Sequence, residues 1–307
     1  MLLRAITIGL AAVVLVHVLR YRRRMMALRT ADHARLPTGP DGIILGAEPI
    51  VLPGSASHAV LVVHGFADTT QSVRALAEHL HRVHGWTVHA PLLPGHGRTL
   101  ADFDASSSVQ WRAHVREAYA ALKSTHTTVA LIGLSMGGAL ATLEAANDPS
   151  LPALVLLVPY LTPPARAERL APLATLINLV NPYLAAGSRE QSIFDPAARA
   201  KALGYGGSPP VRVRDLVTVA HDARFAAADV VAPTLLMHSR TDYRIPFVLA
   251  TTHAGLYERA IAREQIWLDG CGHVITVDFG CQRVFAATAN WLARYAGPPV
   301  AAREQVS

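Results

Sequence analysis

Three residues that together can cleave an acyl bond lie in separate segments of this chain. Ser135 lies in Gly133-Leu134-Ser135-Met136-Gly137-Gly138, Asp242 follows an apolar run, and His273 lies in Asp269-Gly270-Cys271-Gly272-His273. A serine hydroxyl is a weak nucleophile until a neighbouring base removes its proton, and a histidine oriented by a carboxylate is such a base. The three side chains are therefore candidates for nucleophilic catalysis if the fold brings them together.

The sequence around Ser135 predicts a sharp turn between a strand and a helix. The apolar run 128–132 precedes the serine, and a helix-like segment at 139–147 follows it. In a G-x-S-x-G turn the serine backbone is strained, and side chains at the glycine positions would collide with the neighbouring strand and helix. The turn exposes the hydroxyl at the top of a sheet. It also places the N–H of Met136 at a helix N-terminus, where it can stabilise an oxyanion.

A second oxyanion donor is predicted at the end of another apolar run. Residues 59–63 lead into His64-Gly65-Phe66. A glycine at this point lets the backbone approach a ligand closely, and the N–H that follows it can point into the site. We therefore expect the backbone N–H of Phe66 to act beside that of Met136.

The acid of the site is assigned by its place after a strand. Asp242 follows the apolar run 233–238, so the chain order is serine, acid, histidine, which differs from the orders in chymotrypsin and subtilisin. Asp269, four residues before His273, and Asp278, five residues after it, are the alternatives. Neither follows a different strand, as an acid held by the scaffold normally does, and Asp242 is therefore preferred.

The remaining histidines do not indicate a metal site. His64 and His96 are expected to brace loops by hydrogen bonds. His79, His81 and His84 are interpreted as one solvated helix face, because no set of Cys, Asp or Glu completes a coordination sphere. The sequence also contains neither a G-x-G-x-x-G nor a C-x-x-C motif. We therefore expect neither a metal nor an organic cofactor.

Apolar runs alternate with helix-like segments along most of the chain. The alternation predicts an α/β fold, a mainly parallel sheet covered by helices on both faces, and a hydrophobic content of 51% agrees with a sizeable core. The predicted strands are 59–63, 86–90, 128–132, 153–158, 233–238 and 265–268.

The alternation fails between about 161 and 215, where prolines punctuate the chain, and this stretch is interpreted as an inserted cap. Its apolar side chains could line an acyl pocket, or bury the cap against the core, or do both. They are Leu170, Leu173, Ala174, Leu176, Ile177, Leu179 and Val180.

Taken together, the motifs resemble the α/β-hydrolase superfamily, and within it the bacterial carboxylesterases and monoacylglycerol lipases. The resemblance covers roughly residues 55 to 295. It implies an α/β-hydrolase fold and the hydrolysis of small-molecule acyl esters or lipids, with medium-chain or monoacyl substrates favoured. The matching segments are His64-Gly65-Phe66, Pro94-Gly95-His96-Gly97, Gly133-Leu134-Ser135-Met136-Gly137-Gly138, Asp242 with Pro246, and Gly272-His273-Val274-Ile275-Thr276-Val277-Asp278.

Other activities are compatible with the same three residues. A thioesterase, an amidase or a carbon–carbon bond hydrolase would use an identical triad through an acyl-enzyme or its equivalent. A binding protein on the same scaffold is the alternative outside the enzymes, and it would require a missing triad residue. No triad residue is missing.

The amino terminus predicts a membrane anchor. Leu2 to Leu19 is apolar apart from Arg4, Thr7 and His17, and as a helix of about 1.5 Å per residue it would extend about 27 Å. Four arginines follow within five residues, whereas a secretory signal places its main positive charge before the apolar run. We therefore expect an uncleaved anchor with the catalytic domain in the cytoplasm. Cleavage as a secretion signal, or an interfacial helix, is the alternative.

Charge and cysteine usage set the remaining expectations. Residues 1–30 hold six arginines and no acid, which leaves 22 basic and 22 acidic residues in the rest, so nucleic-acid binding is not indicated. Residues 31–55 are interpreted as a linker with a first edge strand, 56–300 as the catalytic domain and 301–307 as a tail. Two cysteines, Cys271 and Cys281, do not predict a disulfide framework, although their spacing would permit one bridge after export. Nothing in the sequence fixes the oligomeric state.

Overall fold

A seven-stranded sheet forms the centre of the molecule. The computed structural model describes residues 2–185 and 189–297, with side chains from residue 7 onward except those of 189 and 190. The strand order is β1-β3-β2-β4-β5-β8-β9, all parallel except β1, which pairs antiparallel with β3; β6 and β7 form a separate antiparallel pair. The strands are β1 (Ile50–Leu52), β2 (His58–Val63), β3 (Thr87–Ala90), β4 (Thr128–Leu134), β5 (Leu154–Leu157), β6 (Leu184–Ala185), β7 (Gly207–Ser208), β8 (Thr234–Ser239) and β9 (Arg263–Leu268).

Helices cover both faces of the sheet. One apolar cluster packs α2 and α12 against one face, and a second packs α4, α5 and α10 against the other. The helices are α1 (Leu2–Arg35), α2 (Gln71–His84), α3 (Leu100–Ala105), α4 (Ser108–Thr125), α5 (Met136–Asn147), α6 (Ala165–Leu170), α7 (Ala174–Val180), α8 (Arg189–Ser192), α9 (Pro196–Ala200), α10 (Pro210–Ala226), α11 (Phe247–Ala250) and α12 (Cys281–Tyr295).

The predicted fold class is confirmed. Each of the six apolar runs coincides with a strand, because a strand covered by helices on both sides buries its side chains on both faces and reads as an unbroken apolar stretch. In β2, Val60 and Val62 belong to one apolar cluster while Leu61 and Val63 belong to the other, so successive residues point to opposite layers.

The two outermost strands differ from the buried ones. β1 has only three residues and is followed by Pro53, whereas β9 begins with the polar residues Arg263, Glu264 and Gln265, the first two of them exposed.

The carboxyl ends of the parallel strands β2, β4 and β8 open into loops that carry candidate site residues. Ligands of open parallel sheets bind at this end.

α1 is a single helix with two different environments. Its apolar side chains between Ile8 and Leu19 are mostly exposed, whereas Met25 and Leu28 pack against the core and Leu36, just beyond the helix, is buried. The helix therefore continues through the first five residues of the stretch interpreted as a linker.

The prediction of a membrane-spanning helix is not supported. Among the residues whose side chains the structure describes, no helix is both long enough and apolar enough to cross a membrane. The first residues of the proposed span, including Arg4, lie outside that set. Cytoplasmic placement of the catalytic domain stays a prediction, and the tail at 301–307 lies outside the described residues.

Short elements between β5 and α10 make up the segment interpreted as a cap. They are α6, α7, β6, α8, α9 and β7, with a 3₁₀ turn at Ala171–Leu173. Only part of the apolar set in this segment faces inward. Leu170, Ala174 and Ile177 line a cavity, although 40% of Leu170 is exposed, whereas Leu176 and Leu179 are 62% and 64% exposed. Leu170 ends α6, and Ala174 and Ile177 lie three residues apart on α7, which is the spacing of one helix face.

Candidate active site

The turn at Ser135 is strained and depends on its glycines. Ser135 has φ 55° and ψ −115°, a backbone conformation that non-glycine residues rarely adopt. A Cβ at Gly133 would lie 2.2 Å from the carbonyl oxygen of Gly137, and one at Gly137 would lie 2.2 Å from that of Val63. No real side chain fits at such distances. The glycines therefore allow α5 to begin directly against β2 and β4, which pushes the Ser135 side chain out of the turn.

The structure brings Ser135, His273 and Asp242 into one hydrogen-bonded chain. Ser135 Oγ donates to His273 Nε2 at 2.8 Å, and His273 Nδ1 donates to Asp242 Oδ2 at 2.7 Å. The serine comes from the end of β4, the acid from the loop after β8, and the histidine from the loop after β9. With Nδ1 committed to the carboxylate, Nε2 is left to accept the serine proton.

Asp242 is held as a carboxylate although it is buried. Burial alone would raise its pKa, but the charge of His273, the hydrogen bond from it and the backbone N–H groups of Ile245 and Arg244 outweigh burial and lower the pKa below its usual value. The two N–H groups donate to Oδ1 at 3.1 and 2.6 Å, so Oδ2 remains for the histidine. The acid therefore keeps the negative charge that an imidazolium needs beside it.

The two alternative acids lie elsewhere. The side chain of Asp269 is 75% exposed and lies 3.4 Å from Arg240 Nε. Asp278 is buried, and its carboxylate accepts four backbone N–H groups at 2.7 to 2.8 Å. The donors are those of Phe194, Asp195, Gly272 and Phe279. Asp278 thus joins the histidine loop to the segment that precedes α9.

The loop after β2 lies directly beside the serine. A Cβ placed on Gly65 would lie 3.4 Å from Ser135 Cβ, an ordinary van der Waals distance, so the backbone of Gly65 lies directly beside the serine. Phe66 follows it on the cavity wall, and Met136 follows Ser135 as the first residue of α5. The two residues predicted to donate backbone N–H groups are therefore the immediate neighbours of the point where Gly65 meets Ser135.

Two buried histidines brace these loops, as the sequence predicted. The N–H of Leu93 donates to His64 Nε2 at 3.1 Å, so His64 Nδ1 carries the proton and donates to the carbonyl of Gly65 at 2.9 Å. The ring of His96 lies edge-on to that of His64, with centroids 5.1 Å apart. Burial lowers the pKa of His64 to about 4, so this brace is neutral.

A cavity of about 670 Å³ leads to Ser135 and His273. Most of its wall is apolar and comes from the segment between β5 and α10 together with α10 itself. The apolar lining residues include Leu170, Ala171, Ala174, Ile177, Leu184, Val213 and Leu216. A cavity of this size and character accepts an alkyl or acyl chain.

Two of the polar cavity residues that the sequence did not single out are Asp68 and Arg244. Asp68 follows residues 64–67, the loop after β2 that carries Phe66 and is called the oxyanion loop below, and burial raises the pKa of Asp68 to about 6. Arg244 Nε donates to Ser192 Oγ at 3.0 Å. Asp68 follows Phe66 by two residues, and Arg244 follows Asp242 by two residues. This proximity to predicted site residues is the sequence signal that could have identified them.

The cysteines on either side of His273 are not bridged. Cys271 is buried, Cys281 is half-buried, and both are free thiols. Burial raises the pKa of both. The thiols are therefore poor nucleophiles at neutral pH, which leaves Ser135 as the nucleophile that the geometry supports.

Comparison with known proteins identifies the family. Residues 54–279 match the model of the Hydrolase_4 family, described as serine aminopeptidase, S33. The protein belongs to this family of α/β hydrolases. The match begins after α1 and includes every residue of the hydrogen-bonded chain. In this Hydrolase_4 protein the three residues occur along the chain in the order serine, acid, histidine, which is the order typical of α/β hydrolases.

Individual relatives place this Hydrolase_4 protein among esterases and lipases. A thermostable monoacylglycerol lipase of Bacillus sp. strain H-257 is 28% identical over 258 residues, 83% of this chain and 98% of the relative. A carboxylesterase of Bacillus subtilis strain 168 is 25% identical over 240 residues, 76% of this chain and 92% of the relative. A metagenome-derived lipolytic enzyme of known structure has 27% identity and a TM-score of 0.72, covering 82% of this chain and all of that one. The protein is an ester hydrolase of this group.

Proposed function

We propose that this protein hydrolyses acyl esters, monoacyl lipids among them, with Ser135 as nucleophile, His273 as base and Asp242 as the acid that orients it. The observation that carries the proposal is the unbroken hydrogen-bonded chain of these three side chains at one end of an apolar cavity of about 670 Å³. The strained turn places the serine at the wall of that cavity.

In the first half of the reaction, an acyl group moves to the enzyme. His273 Nε2 removes the proton of Ser135 as Oγ attacks the ester carbonyl, and the imidazolium that forms is stabilised by Asp242. The carbonyl oxygen becomes an oxyanion and accepts the N–H groups of Phe66 and Met136. The tetrahedral intermediate collapses, His273 returns the proton to the alcohol oxygen, and the alcohol leaves.

In the second half, water takes the place of the alcohol. His273 removes a proton from the water, the resulting hydroxide attacks the acyl-enzyme, and the same two N–H groups stabilise the second oxyanion. Collapse returns the proton to Ser135 and releases the carboxylic acid. The proton count closes, since water supplies one hydrogen to the alcohol and the hydroxyl to the acid.

The volume and the apolar lining of the cavity support a substrate with an apolar arm. The inward residues of α7 and α10 provide contact for an acyl chain, and each buried methylene contributes about 0.8 kcal/mol. Two relatives carry the names monoacylglycerol lipase and carboxylesterase, which agrees with a single acyl arm. A monoacyl ester with a small alcohol fits this description.

The test is a hydrolysis panel with the purified full-length chain. p-Nitrophenyl esters of graded acyl length, monoacylglycerols and acyl-coenzyme A thioesters would be compared at equal concentration. We expect the oxygen esters to be preferred and kcat/KM to rise with acyl length through the medium-chain range. A preference for the thioesters would refute the assignment and favour a thioesterase.

The nucleophile is tested in the same assay. Ser135→Ala should lower ester turnover on the order of 10⁴-fold or more and abolish labelling by a fluorophosphonate, because nucleophile and base act as a unit. Ser208→Ala is the matched control, since Ser208 also lines the cavity but belongs to β7. Its activity should stay within about twofold of the parent. Labelling that persists in Ser135→Ala would place the nucleophile elsewhere.

A further inference from the structure

The oxyanion loop contains a strained residue that its surroundings must hold. Ala67, next to Phe66, has φ 54°, in the left-handed region that residues with a Cβ seldom occupy. Such a conformation costs about 1 kcal/mol or more and persists only where neighbouring contacts fix it. The position of the Phe66 N–H therefore depends on what holds the peptide at Ala67.

The contact that holds Ala67 comes from a distant part of the chain. The N–H of Tyr205 donates to the carbonyl oxygen of Ala67 at 3.1 Å. A Cβ on Gly204 would lie 3.1 Å from the same oxygen, so the backbone of residues 204 and 205 lies directly against the loop. Tyr205 precedes β7 and lies outside every motif of the sequence.

This segment is itself held by the C-terminal end of α1. Both carboxylate oxygens of Asp32 accept the N–H of Gly206 at 3.1 Å. Arg35 donates to the carbonyl oxygens of Gly204 at 2.6 Å and Ala202 at 3.3 Å, and it also donates to Asp32 at 2.9 Å. Charge-assisted hydrogen bonds of this kind contribute about twice as much as neutral ones. Asp32 is buried, which strengthens them further.

The ring of Tyr205 forms a second connection to the same loop. It stacks on Phe103 with centroids 5.2 Å apart, and Phe103 in turn meets the ring of Phe66 edge-on at 5.2 Å. The hydroxyl of Tyr205 accepts the N–H of Arg98 at 3.1 Å and has the carbonyl of Gly95 within 3.0 Å. Tyr205 therefore touches the oxyanion loop through its backbone and, by way of Phe103, through its side chain.

We propose that Asp32 and Arg35 of α1 are positioning residues of the esterase site, which fix residues 202–206 against Ala67 and so hold the Phe66 N–H in place for the oxyanion. The inference rests on the proposed function. Both residues precede the part of the chain that matches the family model, which begins at residue 54. The C-terminal end of α1 thus contributes to the geometry of the site, although it lies outside the residues that match the family model.

Arg35→Met and Asp32→Asn test the inference in the full-length protein. Complete loss of one oxyanion donor costs about 10²- to 10³-fold in kcat, so a displaced donor should lower kcat about 10- to 100-fold. KM should change much less than kcat, because only Ala202, Gly204 and Tyr205 of the displaced segment line the substrate cavity and most of its apolar wall comes from other residues. Arg35→Lys, which keeps a donor near Gly204, should recover part of the loss.

A trifluoromethyl ketone separates positioning from a merely structural role. Ser135 Oγ adds to its carbonyl carbon, the serine proton moves to His273, and the carbonyl oxygen becomes an alkoxide in the place of the oxyanion. Its inhibition constant should rise in Arg35→Met and Asp32→Asn in proportion to the fall in kcat. The matching methyl ketone, which binds without forming the adduct, should bind as in the parent.

The control variant is Arg29→Met. Arg29 lies on the same helix and donates to the hydroxyl of Tyr183 at 2.9 Å, and no hydrogen bond among the described residues joins its side chain to residues 202–206. It should retain kcat and the inhibition constant within about twofold.

A lowered melting temperature with kcat and the inhibition constant unchanged, in either test variant, would overturn the inference. If Arg35→Met does not fold, the inference is tested with Asp32→Asn and Arg35→Lys, by comparing the rise in their inhibition constants with the fall in their kcat. Failure of the proposed function would give a different result, because the trifluoromethyl ketone would then not inhibit the parent protein either.

Discussion

Replacing Asp278 by asparagine separates the structural role of Asp278 in the histidine loop from the role of triad acid that we propose for Asp242. Oδ1 of Asp278 accepts the N–H groups of Asp195 and Phe279, and Oδ2 accepts those of Phe194 and Gly272. An asparagine keeps one oxygen and therefore one pair of these bonds. Its amide hydrogens face the other pair of donors, whichever way the side chain is turned.

The magnitude follows from the two donors that lose their acceptor. Each unsatisfied buried donor costs about 1 to 3 kcal/mol, so Asp278→Asn should lower the free energy of unfolding by about 2 to 6 kcal/mol. In a domain of this size 1 kcal/mol corresponds to roughly 2 to 4 °C, so Tm should fall by about 5 °C or more. Urea unfolding and thermal melts of the purified variant measure both quantities.

Two further variants make the comparison decisive. Asp242→Asn should lower kcat on the order of 10⁴-fold, because it spoils the tautomer and charge support of His273, and should affect stability less than Asp278→Asn. Asp269→Asn should change neither quantity appreciably, since its side chain is mostly exposed.

Either of two results would refute the reasoning. If Asp278→Asn unfolds within about 0.5 kcal/mol of the parent, the four hydrogen bonds do not act as described. If the folded Asp278→Asn or Asp269→Asn protein loses activity as Asp242→Asn is expected to, the acid of the triad has been assigned wrongly.

Three further predictions concern the cavity and its frame. Burial raises the pKa of Asp68 to about 6, so ionisation of this carboxyl destabilises the folded protein as pH rises from about 4 to 6. In urea melts, the free energy of unfolding of Asp68→Asn minus that of the parent should therefore grow by up to about 3 kcal/mol over that range. A constant difference would contradict this. Gly137→Ala should prevent folding or destabilise by about 3 kcal/mol or more in the same melts, because its Cβ would lie 2.2 Å from a backbone oxygen, whereas Gly255→Ala, with nothing within 4 Å, should be tolerated. Ala174→Trp should fill the proposed acyl cavity and lower kcat/KM for long-chain p-nitrophenyl esters about 200-fold relative to acetate, as the loss of about four buried methylenes implies. Leu176→Trp, on the exposed face, should not, and equal effects would argue against the cavity as the acyl site.

The strand pattern and the serine turn were predictable because their physics is local. A parallel strand covered on both faces reads as an unbroken apolar run, and the turn at Ser135 needs glycines at fixed positions, so each leaves a mark in a few consecutive residues. The position of Asp242 followed from the same logic, since an acid after a different strand is brought to the histidine by the sheet.

Contacts made across long stretches of sequence were not predictable in this way. Asp278 appeared only as a competitor for the triad because its four partners are backbone groups, which carry no sequence signal. The contact between Asp32 and Gly206 joins residues 174 positions apart. The seven apolar residues of the cap segment are distributed over α6, a 3₁₀ turn and α7, so the sequence alone did not predict which of them face the cavity. The apolar start of α1 suggested an anchor, but it gave no indication that the C-terminal end of the same helix packs against the core of the molecule.

The construction of the sheet edges has a consequence for how this protein behaves when it is concentrated. An unpaired edge strand can recruit the edge of a second molecule and start aggregation, and natural sheets prevent this with short strands, prolines and charges. Here β1 is only three residues long and is followed by Pro53, while β9 begins with Arg263 and Glu264. Strand-to-strand association between molecules is therefore disfavoured at both margins of the sheet, so a highly concentrated sample is protected against polymerising through its β-structure.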